Sequence, residues 1–235
     1  MTVSDMQLAI RLNLDKSTSL VGAVDFLPEE LDFWLNEGQN RFIEQRLFGN
    51  NPKQQSFDQT QKRIDDLRSL VVTMTNLSLS SSTLGSNIKE VSLPISDATS
   101  PYMFYIDSRV YDSSNNVLQT EGIVSYNIVN RYLEDSINKP YIRRPLVVFY
   151  HTGTGDKIGF IYSSTEFVPT KCDITYIKKP KVLTSNIPTT YQTNTCELPE
   201  HTHREIVSIV TNLLIENIES PRIQTFSQIN ESRVE

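Results

Sequence analysis

The sequence predicts an α+β fold: a helical bundle from both chain ends, with an inserted β-rich domain and an extended C-terminal arm. Three observations lead there. Leu27–Leu77 and Leu198–Ser220 carry apolar residues at helical spacing. Thr83–Leu183 is a series of short apolar and aromatic runs cut by turns. Pro221–Glu235 is polar and too poor in apolar residues to build a core. The expected divisions are 1–80 for the N-terminal helical part, 81–184 for the β-rich insertion, 185–220 for a connector and closing helix, and 221–235 for the arm.

The totals narrow the class. A chain of 235 residues with 38% hydrophobic content holds one large domain, or a domain with a sizeable insertion. A formal net charge of −6 argues against general affinity for nucleic-acid phosphates. No apolar run approaches the roughly 20 residues needed to cross a bilayer. The opening Met1-Thr-Val-Ser-Asp5 lacks the basic and apolar regions of a signal peptide, so a cytosolic start is expected. Cys172 and Cys196 are far apart in sequence and are expected to stay reduced.

Taken in order, Ser4 and Gln7 have capping-box spacing, and Met6, Ile10 and Leu14 repeat as on a helix. Asp15–Val24 reads as a loop. Pro28 suits the first turn of a second helix, with Glu29, Glu30 and Asp32 at the positive end of its dipole. Leu31, Leu35, Phe42 and Arg46 share one side of it, Trp34 lies beside them, and Gly38 allows a close helix contact. Gly49-Asn-Asn-Pro52 stops the helix. Ser56 and Gln59 begin a third helix, with Ile64, Leu67, Val71 and Met74 on its apolar face and Lys62, Arg63, Asp65, Asp66 and Arg68 opposite.

Strand patterns follow. Ile88–Ile95 is one. Tyr102–Tyr111 and Val117–Gln119 flank the turn Asp112-Ser-Ser-Asn-Asn116. Ile123–Val129 reads as strand, and Asn127–Ile137 equally as a short helix. Leu146–His151 and Lys157–Tyr162 flank Thr152-Gly-Thr-Gly-Asp156, the clearest hairpin. Cys172–Ile177 is one more strand. Ser185–Glu197 is a polar, extended connector. The last helix opens at Leu198-Pro-Glu200 and buries Ile206, Ile209, Val210, Leu213, Leu214 and Ile218.

Candidate chemistry resolves into structural roles. Glu200-His-Thr-His-Arg-Glu205 lacks the i, i+4 histidine pair of a zinc helix, and His201 and His203 point to different sides, so capping or interface contact is expected. Gly153-Thr-Gly-Asp-Lys157 is followed by a strand pattern and is read as a turn rather than a phosphate loop. His151 is read as a strand-end histidine. Lys178-Lys179-Pro-Lys181 and Arg143-Arg144 are read as solvated loops, and the tyrosines and phenylalanines at strand spacing as core or subunit contacts. No catalytic residue, metal ligand or cofactor site is expected.

Three stretches are familiar as text: Leu31-Asp-Phe-Trp-Leu-Asn-Glu-Gly-Gln-Asn-Arg-Phe-Ile-Glu-Gln-Arg46, then Thr60-Gln-Lys-Arg-Ile-Asp-Asp-Leu-Arg-Ser-Leu70, then Leu198-Pro-Glu-His-Thr-His-Arg-Glu-Ile-Val207 with Glu216-Asn-Ile-Glu-Ser-Pro-Arg222. Together they resemble structural proteins of crAss-like tailed bacteriophages, in the group of neck-ring or head-to-tail connector proteins. The resemblance covers both helical ends better than the middle.

It implies a non-enzymatic virion protein, made in the host cytoplasm, that forms a ring under the portal, often dodecameric. Such a ring meets the portal protein and other neck or tail rings. It extends a channel through which DNA passes without specific binding, and it needs neither cofactor nor membrane. The tail would then be a docking arm that orders on binding, with Arg222, Ile223, Phe226, Ile229 and Arg233 as its contact residues. The alternatives are a more distal neck or tail ring, a tail hub component, or a module in which Thr83–Leu183 binds host glycan.

Overall fold

A computed structural model of the chain describes residues 1–17, 26–48, 61–95, 97, 99–134, 140, 144–153, 155–163 and 167–217. In chain order the elements are α1 (Val3–Ser17), α2 (Pro28–Leu47), α3 (Gln61–Leu67) with a 3₁₀ turn (Arg68–Leu70), β1 (Val71–Ser78), β2 (Ser80–Ser81), β3 (Ile88–Ser92), β4 (Tyr102–Tyr111), β5 (Val117–Gln119) and β6 (Ile123–Val124). There follow a 3₁₀ turn (Tyr126–Ile128), α4 (Val129–Glu134), β7 (Leu146–Thr152), β8 (Gly155–Ile161), β9 (Lys171–Lys178), β10 (Val182–Leu183), β11 (Gln192–Thr193) and α5 (Glu200–Asn217). The chain forms two compact units, one from Met1–Leu70 with Pro180–Glu235 and one from Val71–Lys179.

The expected helical bundle from both chain ends is not what forms. The fold is β-rich, with sheets of four, five and two strands and five α-helices among the described residues. Two local readings caused the error. Val71 and Met74 continue the helical spacing of Ile64 and Leu67, yet the helix gives way at Arg68 and Val71–Ser78 becomes β1. Val71-Val72-Thr73 is a β-branched run, which suits a strand, and long-range pairing of Val71 with Ile177 and Val72 with Tyr176 outweighs the weak helical preference. The second is the connector. It is not free: Gln192–Thr193 pairs in parallel with Val182–Leu183, placing a strand pair among the helices.

In the helical unit, α1 buries Val3, Met6, Ile10 and Leu14. Its cap is Thr2 with Asp5, two residues earlier than the expected Ser4 and Gln7. Thr2 donates N–H and O–H to Asp5 Oδ2 at 3.0 and 2.8 Å, and Asp5 N–H donates to Thr2 Oγ1 at 3.2 Å. Gln7 instead crosses to α2, donating to Asp32 Oδ1 at 2.7 Å and to the Pro28 carbonyl at 3.1 Å. Helix α2 buries Leu31, Leu35, Phe42 and Ile43, and α5 buries Ile206, Val210, Leu214 and Ile215.

The two helices run antiparallel and meet at Gly38. A Cβ there would lie 2.3 Å from Val210 Cγ2, so only glycine lets the helices come this close. Polar α2 side chains bind the chain where it returns at β10. Asn36 donates to the Leu183 carbonyl at 2.9 Å and accepts the Leu183 N–H at 2.8 Å. Asp32 Oδ2 accepts the Ser185 N–H at 2.7 Å, and Gln39 donates to the Lys181 carbonyl at 3.3 Å.

In the β unit, β1-β9-β4-β5 form an antiparallel sheet, and β2-β3-β8-β7-β6 form a second sheet, antiparallel except for β6 with β7. Val110, Cys172, Ile174 and Tyr176 of the first sheet pack with Val147, Ile158 and Phe160 of the second, and the Tyr105 and Phe149 rings meet edge-on at 5.2 Å. The second sheet is covered on its other face too, where Ile88, Val148 and Ile161 meet Val124 and Val129. Gly159 on β8 leaves room there, since its Cβ would sit 2.9 Å from Val148 Cγ1 and 3.2 Å from Ile88 Cγ2. The hairpin at 152–156 forms, as does the one at Asp112, whose carboxylate accepts N–H from Ser114 and Asn116 at 2.7 and 2.8 Å.

Gly38→Ala adds helix propensity but forces Val210 aside. The expected net effect is a loss of about 1–2 kcal/mol of stability, measured by urea denaturation. Val210→Ala in the same chain should recover part of it, because the two changes share one contact.

Candidate docking site on the helical unit

One end of the α2–α5 pair is locked by charge. The Arg46 guanidinium donates to Asp66 at 2.8 Å and to both Glu205 oxygens at 2.7 and 2.6 Å, and it lies 4.7 Å from the centre of the Phe42 ring. Asp66 also meets His201 Nε2 at 2.7 Å. The side chains of Arg46 and Asp66 are 9% and 1% exposed, so both charges are fixed by their partners rather than by water. Asp66 had been expected on the solvated face of its helix. Its burial follows from partners on other helices, Arg46 on α2 and His201 on α5.

The opposite end is open. Phe26, Glu29, Glu30, Phe33, Trp34 and Asn217 line a hollow of about 340 Å³ between the start of α2 and the end of α5. Phe33 is 63% exposed and stands edge-on to Trp34, with ring centroids 5.5 Å apart. Glu30 accepts the Leu27 N–H at 3.0 Å, completing the helix start. A second apolar surface lies on α1, where Leu8 and Leu12 are exposed one turn apart. An exposed aromatic hollow rimmed by carboxylates suits an apolar segment that carries positive charge.

The two histidines of the Glu200–Glu205 cluster part company as expected. His201 joins Asp66, while His203 is buried and bonds the Leu198 carbonyl through Nε2 at 2.8 Å and the Met1 ammonium through Nδ1 at 3.0 Å. Those partners require a neutral ring, with its proton on Nε2 and the Nδ1 lone pair accepting. Burial, the largest influence, pushes the His203 pKa below its ordinary value. No group of three His, Cys, Asp or Glu side chains among the described residues is arranged to hold a metal ion.

Other singled-out residues go elsewhere. Cys172 and Cys196 are free thiols, pushed up to about 12 and about 11 by burial. His151 sits at the β7 end, 2.6 Å from Asp156. In the basic clusters, Arg144 pairs with Glu121 at 2.5 Å and Lys181 with Glu197 at 3.8 Å. Tyr176 is fully buried, with Tyr102 against it. The arm residues Arg222, Ile223, Phe226, Ile229 and Arg233, and Arg143, lie outside the described residues.

The pattern also missed a buried polar set in the β unit, where Tyr150 and Lys157 both bind the Glu90 carboxylate and Tyr150 meets Ser82 Oγ at 2.9 Å. Burial pushes Glu90 up, but hydrogen bonds from Lys157, Ser82 and Tyr150 outweigh it and hold the carboxyl below its usual range. The alternation of β3 places Glu90 inward between Ile88 and Ser92, and that was the available signal. Compared with protein-family models and with curated proteins, the chain matches none.

Asp66→Ala leaves the buried Arg46 with Glu205 alone and should cost about 3 kcal/mol by urea denaturation. A pH effect should accompany His203. Its folded pKa is depressed, so its contribution to stability is present above the unfolded value of 6.5 and is lost as pH falls through the lower folded value. The denaturation midpoint should therefore drop between pH 7.5 and pH 5, and His203→Gln should flatten that slope.

Proposed function

We propose that this chain is a structural subunit of a tailed-phage neck, assembling into a ring that joins the portal to the tail and lengthens the DNA channel. The observation that carries this reading is the presence of two distinct exposed apolar surfaces: Leu8 with Leu12 on α1, and Ile123 with Tyr126 and Ile128 beside the second sheet. A ring is a head-to-tail assembly, in which each subunit must present two different complementary surfaces. The resemblance of Leu31–Arg46, Thr60–Leu70 and Leu198–Val207 to crAss-like connector proteins supports the same reading. So does the net charge of −6, which disfavours adhesion of the passing genome.

The test is assembly. Purified protein, alone or with its portal protein, should form closed rings visible by mass photometry and cryo-EM. Leu8→Glu with Leu12→Glu should split them into smaller species, while stability changes by no more than about 0.5 kcal/mol, since both residues are exposed. A protein that stays monomeric in the presence of portal overturns the reading.

A further inference from the structure

We infer that the hollow between α2 and α5 is the receptor for this chain's own C-terminal segment, with Ile223 and Phe226 seated against Phe33 and Trp34 and Arg222 facing Glu29. Chain continuity is the first support. Asn217 is both the last residue of α5 and part of the hollow's wall, so the segment that follows is covalently anchored at the site itself. Phe226 is nine residues further on, a reach of roughly 30 Å if extended, and Ser220-Pro221 supplies residues suited to the reversal that leads back over α2.

Composition is the second support. Between Pro221 and Asn230 the sole charged residue is Arg222, whereas the charged residues of the hollow are Glu29 and Glu30. Ile223, Phe226 and Ile229 recur every third residue, which puts them on one side of a polyproline II helix and nearly so on an α-helix. Tethering favours the chain's own segment over any free partner, because a short linker holds it at an effective concentration of order millimolar. The inference does not depend on ring formation, and its test reads the hollow directly.

Trp34 is the protein's single tryptophan, so its fluorescence reports this site alone. A chain ending at Asn217 should show red-shifted Trp34 emission and at least a twofold rise in acrylamide quenching relative to the full chain. Full-length Phe226→Ala and Ile223→Ala, which remove no backbone, should move both signals the same way. The difference should be constant from about 50 nM to about 20 μM, as expected of a tethered segment. Identical Trp34 signals in the full chain and the Phe226→Ala variant overturn the inference. A difference that grows with concentration overturns it too, by assigning the hollow to a second copy's segment. Ring assembly is scored separately by mass photometry, so either proposal can fail alone.

Discussion

The helical unit depends on how an α-helix binds a returning strand. The chain leaves this unit after Leu70 and re-enters it at Pro180. The re-entering backbone is extended, and Leu183 is almost fully buried, so its N–H and C=O need partners. Helix α2 has no spare backbone groups in its interior. Asn36 replaces them, donating to the Leu183 carbonyl and accepting its N–H as a neighbouring strand would. Asp32 and Gln39, one turn to either side, take Ser185 and Lys181. Parallel β11 then fills the other edge of β10, and α5 is delivered to the remaining face of α2.

That delivery sets the two ends of the α2–α5 pair against each other. At Gly38 the Val210 side chain lies directly against the α2 backbone, and at Arg46 a buried guanidinium joins α2, α3 and α5. Toward Pro28 no such clamp exists among the described residues, and the pair ends in aromatic rings. A bidentate ion pair with an added carboxylate holds geometry tightly because breaking it strands a buried charge. Rigidity at one end and exposed aromatic area at the other is the arrangement expected of a preorganised docking site.

Much of the helical unit was legible because its signals are local. Pro28, the Leu31–Leu35–Phe42 stripe and Leu198-Pro-Glu200 place α2 and α5 within a residue or two, and Gly38 was read correctly as a contact point. What failed depended on distant partners. Val71 and Met74 sit at helical spacing, and only their pairing with Ile177 and Ile174, about a hundred positions on, makes them strand. Asp66 looked solvated because its partners Arg46 and His201 come from other helices. The hollow was invisible for the same reason, since Phe26 and Asn217 belong to opposite ends of the chain. A faint clue existed in Phe33-Trp34: two successive aromatics cannot both face the side that Leu31 and Leu35 bury.

The β unit adds a constraint on assembly through the way its sheets end. The edge strands β2 and β6 have two residues each and β5 has three, too short to template a neighbour's strand. The longer edge, β1, is interrupted where Asn76 adopts a left-handed φ of 57° and its N–H turns to Asp173. Strand addition is thus discouraged at β1, β2, β5 and β6, although β5 covers only Arg109–Tyr111 of the ten-residue β4. The outer face of the first sheet carries polar pairs, Thr73 bonded to Thr175 and Gln119 to Asp107. Exposed apolar area collects instead around Ile123, Tyr126 and Ile128, beside the second sheet. That cluster would offer a partner side chains on a face rather than strand hydrogen bonds, a contact that fixes orientation by shape.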